Sequence, residues 1–406
     1  MKRRTMLFKG LITAAGLLAT SVKATIYYAG VAESGGEFGA YGKVGTGLPG
    51  RFGVDYSFIS TAGVDVYVDQ NKVNLFRVAF LLERMCPLAT GLGATFNETH
   101  FSYYADAINY ITLNKSSYAI IDPHNYMRYN DPSSQPFSGS VIGNTSDPTA
   151  ATTAQFGAFW GALAKRFKNN TKVIFALMNE PHDMPTSLVL ANNQAAITAI
   201  RKTGAKNLIL APGNSWTGGH SWTQGSDPSS ALLQKLNDPI KNTAIDIHEY
   251  LDVDFSGGHS LCSSSAPDYL ANLTSWLKTN HLKAMITEFG ASNGTECKPY
   301  LQGIINYMAQ NDEYIGWTAW AAGPFWGTNS PCCTDSQQWG SLEPGSLAAD
   351  GSPGYAKEKR FWRCFCADLW CEFRLYTTVW NATIQPLLPK TLQRSGPATV
   401  KGYGRY

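Results

Sequence analysis

The chain has 406 residues, of which 44% are hydrophobic and 16% charged, so it can bury a large core, and wholesale disorder is excluded. Its formal net charge of +3 is small and scattered, which argues against nucleic acid or an acidic membrane surface as a partner. Aromatic residues reach 12%, with 11 Trp and 20 Tyr, an excess that suits either an aromatic-rich core or stacking surfaces for flat apolar groups.

Residues 1–24 have the outline of a secretion signal: the basic Lys2-Arg3-Arg4, an apolar run over 11–20, and the small-x-small site Val22-Lys23-Ala24. Lys9 shortens that run, and no stretch reaches the roughly 20 apolar residues of a spanning helix, so no membrane partner is expected. Sequons at Asn97, Asn114, Asn144, Asn169, Asn272, Asn293 and Asn381 agree with an extracellular, glycosylated product. From 25 to 388, strand-like and helix-like segments alternate. The runs 26–31, 73–80, 118–121, 173–178, 208–210, 244–247, 284–286 and 314–320 read as strands. Segments 101–111, 156–167, 189–200, 269–277 and 300–308 carry helical apolar spacing. The count predicts an α/β fold, a (β/α)8 TIM barrel in a single catalytic domain. A doubly wound open sheet is the alternative, but no Gly-rich phosphate fingerprint follows the first strand. Residues 389–406 read as a polar C-terminal tail.

In such barrels, chemistry gathers at the C-terminal strand ends. In chain order those ends carry Arg77, His124-Asn125, Asn179-Glu180, His248 with Tyr250, Glu288, and Trp320. Singly, each has an ordinary structural explanation: Arg77 as a buried ion-pair partner, His124 as a turn histidine, His248 and Tyr250 as a core pair, Trp320 as packing. Together they concentrate binding and proton-transfer groups at one face. Glu180 ends the run Val173-Ile174-Phe175-Ala176-Leu177-Met178, and Glu288 ends Ala284-Met285-Ile286 after Thr287. A carboxylate at the tip of a buried strand is poorly solvated and needs a reason to be there. Two of them facing one cleft are the minimum equipment for splitting a glycosidic bond.

Seven motifs, in order, resemble the family 5 glycoside hydrolases, and among them the secreted fungal endo-β-1,4-glucanases. They are Val31-Ala32-Glu33-Ser34-Gly35-Gly36-Glu37-Phe38-Gly39, Phe76-Arg77-Val78-Ala79-Phe80, Asp122-Pro123-His124-Asn125-Tyr126, Asn179-Glu180-Pro181, His248-Glu249-Tyr250-Leu251-Asp252, Thr287-Glu288-Phe289-Gly290 and Trp317-Thr318-Ala319-Trp320. The resemblance implies an endo-acting retaining β-1,4-glucanase, secreted and monomeric, acting on β-glucan polysaccharide without cofactor or metal. It implies Glu180 as acid/base and Glu288 as nucleophile. Arg77 and Tyr250 would keep Glu288 ionised and aimed, Asn179 would bind the sugar 2-OH, and His124 and His248 would hydrogen-bond around the site. Trp320 would floor the sugar at the cleavage point, and Trp216, in the glycine-rich loop after the fifth strand, would offer a neighbouring platform. Endo-β-mannanase and xyloglucanase share this set and stay open, as does a catalytically dead carbohydrate-binding barrel, which would keep Trp320 but lose a carboxylate. With no Pro/Ser/Thr-rich linker to a separate binding module, soluble or amorphous glucan is the expected form of substrate.

Eight cysteines in an exported chain suggest disulfides, and none shows metal spacing. The resemblance implies a Cys262–Cys297 bridge between the loops after the sixth and seventh strands. Cys86 is unassigned, and Cys332-Cys333 stays open between a vicinal disulfide and free thiols. Residues 355–374 break from both flanks, with five basic residues, three cysteines and two tryptophans in twenty positions. Removing them joins Ser352-Pro353-Gly354 to Leu375-Tyr376-Thr377-Thr378-Val379-Trp380, a loop running straight into a closing helix. Codons for Gly354-Tyr355-Ala356 can contain a donor-like GTATG, and Arg374 can be AGG, which supplies a terminal AG. The segment is read as a retained intron that preserves the frame; a genuine loop or lid over the cleft is the alternative.

Overall fold

Short apolar runs bounded by breakers leave the chain no economical choice but extended, fully paired backbone, and the computed structural model has eight of them as parallel strands. It describes residues 26–40, 47–130, 139–292, 294–324, 341–344 and 376–402. The barrel strands are β1 (Tyr28–Glu33), β2 (Leu75–Phe80), β3 (Tyr118–Pro123), β4 (Val173–Ala176), β5 (Ile209–Pro212), β6 (Thr243–His248), β7 (Ala284–Glu288) and β8 (Tyr314–Ala322). Each pairs with its neighbours in chain order, and β8 pairs back onto β1 to close the ring. The expected TIM barrel is therefore present, with strand ends within about two residues of the apolar runs.

Helices Glu98–Asn109, Thr153–Phe167, Thr186–Lys202, Ala266–Asn280 and Lys298–Met308 cover the barrel. Their starts are legible chemistry. Asn97 accepts from the His100 backbone amide, and Thr152 with Gln155 forms a reciprocal capping box. The stretch between β5 and β6 is different: its described helical pieces are the 3₁₀ turns Ser215–Thr217, Ser229–Ala231 and Leu233–Lys235. That irregular crossover carries Trp216. A small hairpin, Arg128–Tyr129 with Ser140–Val141, follows β3.

Side chains alternate along each strand, so the barrel has two cores. Tyr28, Leu75, Tyr118, Ile120, Ile174, Leu210, Met285 and Ile315 fill the interior. Ile121, Phe175, Ile209, Ile247, Ile286 and Trp317 face the helices. The C-terminal stretch, polar by composition, packs under the barrel rather than trailing away. Gln393 Nε2 donates to the Tyr118 hydroxyl at 2.7 Å, Tyr28 donates to the Thr399 carbonyl at 3.1 Å, and Ala398 is fully buried. Its polar groups are satisfied by the strand starts, which is how a polar segment can plug an apolar bottom.

Cys262 and Cys297 are bonded, with Cα atoms 5.1 Å apart, as expected, and Cys86 is free and buried. Of the sequons, Asn114, Asn144, Asn169 and Asn272 are exposed, whereas the Asn381 Oδ1 is buried without a partner among the described residues. The leader, Asn293, Cys332-Cys333 and 355–374 lie outside the described residues. No helix among those described is long and apolar enough to cross a membrane.

Candidate active site

The C-terminal mouth of the barrel opens into a cleft of about 520 Å³ whose lining includes Glu180, Glu288, His124, Tyr250, Trp216 and Trp320. Arg77 and Asn179 lie beneath it, 1% exposed each, and His248 is 3% exposed. All nine residues expected from sequence thus converge on one place.

Glu288 ends β7 in a tight frame. Arg77 Nη1 bonds its Oε1, and the Tyr250 hydroxyl donates to Oε2 at 2.8 Å. Arg77 is itself held by Asp122 at 2.9 Å and donates to Asn179 Oδ1 at 2.6 Å. Burial works against the Arg77 charge, but Asp122 and Glu288 outweigh it and push its pKa up. Burial and the Glu288 charge hold the Tyr250 hydroxyl well above its ordinary range, so it remains a donor. These contacts fix the orientation of Glu288 and leave its carboxylate framed by a guanidinium and a phenol.

Glu180 sits in a left-handed backbone conformation with φ 43°, one residue past Asn179. Its Oε1 lies 2.7 Å from His248 Nδ1. Burial first, and the Glu288 charge second, hold the Glu180 carboxyl well above the usual range. His248 is pushed well below its ordinary value by burial and by the charges of Arg77 and His124, which leaves a neutral imidazole. One oxygen of Glu180, one of Glu288 and His248 Nδ1 lie within 4.8 Å of one another. Glu180 is thus arranged to carry a proton beside a second carboxyl held by Arg77 and Tyr250.

The remaining groups line the approach. His124 stacks on Trp320 with ring centroids 5.3 Å apart and meets Asp122 at 3.0 Å. Burial opposes the charged form of His124, yet the Asp122 hydrogen bond and charge raise its pKa overall. The Asn179 Nδ2 is buried with no partner among the described residues. Trp216 is 45% exposed and lies flat on His182, 4.4 Å between centroids, so its indole face is braced.

Sequence reasoning passed over several contributors. Asp122 was legible as the neighbour of Pro123-His124. Asp246 could have been found two residues before His248, on the same strand face. The wall made by His220 and Phe255, stacked at 3.8 Å, had no signal, because loops bring the two rings together.

The comparisons agree with this geometry. The sequence matches the family Cellulase (glycosyl hydrolase family 5) over residues 32–325. Endoglucanase 1 of Robillarda sp. (strain Y-20) is 68% identical over 397 residues, covering 97% of this chain and 98% of that one. Endo-beta-1,4-glucanase B of Aspergillus niger is 36% identical over 298 residues, 73% of this chain and 81% of its own. Among solved structures, XacCel5A in complex with cellopentaose superposes with a TM-score of 0.68 at 34% identity, covering 81% of this chain and 96% of that one. Cel5A of Hypocrea jecorina superposes with a TM-score of 0.65 at 29% identity, covering 75% and 92%. With two strand-end glutamates in an eight-stranded barrel and a family match across most of that barrel, the chain belongs to the glycosyl hydrolase family 5 cellulases.

Proposed function

We propose that this chain is an endo-β-1,4-glucanase that cleaves internal bonds of cellulose-type glucan by double displacement, with Glu288 as nucleophile and Glu180 as acid/base. The observation that carries the mechanism is the closeness of the two carboxyls, with oxygens within 4.8 Å of each other. Retaining enzymes place them about 5 Å apart, whereas inverting enzymes leave room for a water at about 6.5–9.5 Å. The substrate class is supported by the 68% identity to an endoglucanase over nearly the whole chain.

The steps follow from the contacts. A glucosyl unit rests on Trp320 with its 2-OH toward the open Asn179 amide. Glu288 attacks the anomeric carbon as Glu180 gives its proton to the leaving oxygen, and the second chain departs. Glu180, now ionised, takes a proton from water, which displaces Glu288 and restores the β configuration. Export to an extracellular glucan belongs to the same reading and is supported by the leader-like N-terminus and the sequons.

Glu288→Gln tests it. The amide is nearly isosteric but cannot form the glycosyl-enzyme, so turnover on cellopentaose should vanish while binding persists. Wild-type rates in that variant would remove Glu288 from the role. NMR of the first-formed product should show the β anomer; an α product would defeat double displacement.

A further inference from the structure

Behind Glu180 runs a buried file of hydrogen bonds that ends on a carboxylate no step above uses. Glu180 Oε1 meets His248 Nδ1 at 2.7 Å, and His248 Nε2 meets Thr287 Oγ1 at 3.1 Å. Thr287 Oγ1 donates to Asp246 Oδ1 at 2.5 Å. Asp246 and Thr287 are 1% and 0% exposed, so these bonds lie away from bulk solvent. A strand irregularity makes the file possible. Ile247 pairs with Ile286 but His248 pairs with Glu288, so Thr287 is an extra residue in β7, set between Asp246 and His248.

Each member of this file has one way to satisfy its neighbours. With Asp246 Oδ1 as acceptor, the Thr287 hydrogen is committed, and its oxygen can only accept from His248 Nε2–H. A neutral imidazole carrying its proton on Nε2 presents a lone pair at Nδ1. The 2.7 Å contact to Glu180 then requires the proton on Glu180. A proton on Asp246 Oδ2 leaves this direction unchanged, since Oδ1 still accepts. The charged and titratable groups facing the file are Arg77 from β2, Asp122 from the end of β3, His124 and Tyr250 in the following loops, and Glu288 from β7. Glu288 is committed to Arg77 and Tyr250, and Asp122 to Arg77 and His124, so none competes for Thr287.

We propose that Asp246, acting through Thr287, is a positioning residue that fixes His248 as the Nε2–H tautomer and so presents Glu180 to the substrate as an acid. This rests on the reading of Glu180 as acid/base. Breaking the file frees His248 to carry its proton on Nδ1 and donate to Glu180, which favours the carboxylate and lowers its pKa.

The test begins with the intact protein. Nitrogen-15 spectra of labelled histidine should show His248 protonated on Nε2 alone; protonation on Nδ1 would overturn the proposal. Thr287→Val and Asp246→Ala, each checked for folding by thermal unfolding, should lose about tenfold or more in kcat/KM on cellopentaose. Both should stay within about twofold on a dinitrophenyl β-cellobioside, whose leaving group needs no proton. The alkaline limb of the cellopentaose profile should move to lower pH in both variants, and Thr287→Ser should leave it in place. Equal losses on the two substrates with an unmoved limb would make Asp246 merely structural and defeat the proposal. Glu180→Ala run alongside keeps the two readings apart: equal losses on both substrates in that variant would remove Glu180 itself as the acid.

Discussion

Asn179 shows how a single amide can be aimed before any substrate arrives. Its Oδ1 accepts from Arg77 Nη2 at 2.6 Å, and its Nδ2 is buried and unpaired among the described residues. An unmet buried donor costs about 1–3 kcal/mol in the free enzyme, and a sugar hydroxyl that meets it recovers that cost. The contact matters most when positive charge develops at the ring and the 2-OH becomes a better partner. Asn179→Ala should therefore lower kcat by about 10²-fold or more with little change in KM. A substrate lacking the 2-OH at the cleavage point should be turned over equally by the variant and the wild type. A persisting difference on that substrate would mean Asn179 acts by holding Arg77 instead. The residue was legible in sequence because it precedes Glu180 at a strand mouth. Its unpaired nitrogen was not, since that depends on Arg77 arriving from another strand.

At the scale of elements, the eight strands were legible because strands buried on both faces are nearly unbroken apolar runs. The extra Thr287 in β7 was not, because register belongs to a pair of strands and neither sequence alone records it. Between β5 and β6 the sequence offers no segment with helical apolar spacing, and the described helical pieces there are 3₁₀ turns. The Cys262–Cys297 bridge ties the loops after β6 and β7, hence the carriers of Tyr250 and Glu288, across 35 residues. A loop of that length corresponds to about 3–4 kcal/mol on the chain-entropy estimate. Cys262→Ser with Cys297→Ser should lower stability by up to that amount in denaturant titrations, and an unchanged midpoint would show the loops are held otherwise. A second element-level prediction concerns Glu343, which accepts from the Gly323 amide at 3.1 Å near the end of β8, close to the buried Glu33 of β1. Burial pushes the Glu343 carboxyl up to about 7 from an ordinary 4.5. A raised folded value means the group stabilises the fold at acid pH and loses that contribution as pH rises through about 7. The loss is about 3 kcal/mol at most. Glu343→Gln should flatten the fall in unfolding temperature between about pH 5 and pH 8, and an equally steep fall would place its cause elsewhere.

For the whole molecule, the question is what the barrel needs in order to close. After the last strand the chain must return to cover β1 and β8, and Tyr376–Ile384 does so. Trp380 is fully buried, edge-on to Tyr67 at 4.8 Å and beside Trp317 of β8, and the Tyr376 hydroxyl accepts from Asn71 at 2.7 Å. From there the chain runs beneath the barrel, where Gln393 and Thr399 meet Tyr118 and Tyr28. Every closing contact named here is made by residues after 374. The twenty residues 355–374 lie outside the described structure, and their composition, basic with three cysteines and two tryptophans, matches neither flank. We propose that they are a translated intron with no part in folding or catalysis. Loop-closure entropy changes slowly with length, each doubling costing about 0.6 kcal/mol, so removal should leave stability nearly unchanged. Losing two tryptophans and three cysteines should also reduce aggregation. A protein lacking 355–374 should keep its unfolding midpoint and its kcat/KM on cellopentaose within about twofold. A folded deletion variant that has lost activity would instead identify the segment as a lid over the cleft. Transcripts from the native source that always contain the segment would defeat the intron reading by themselves.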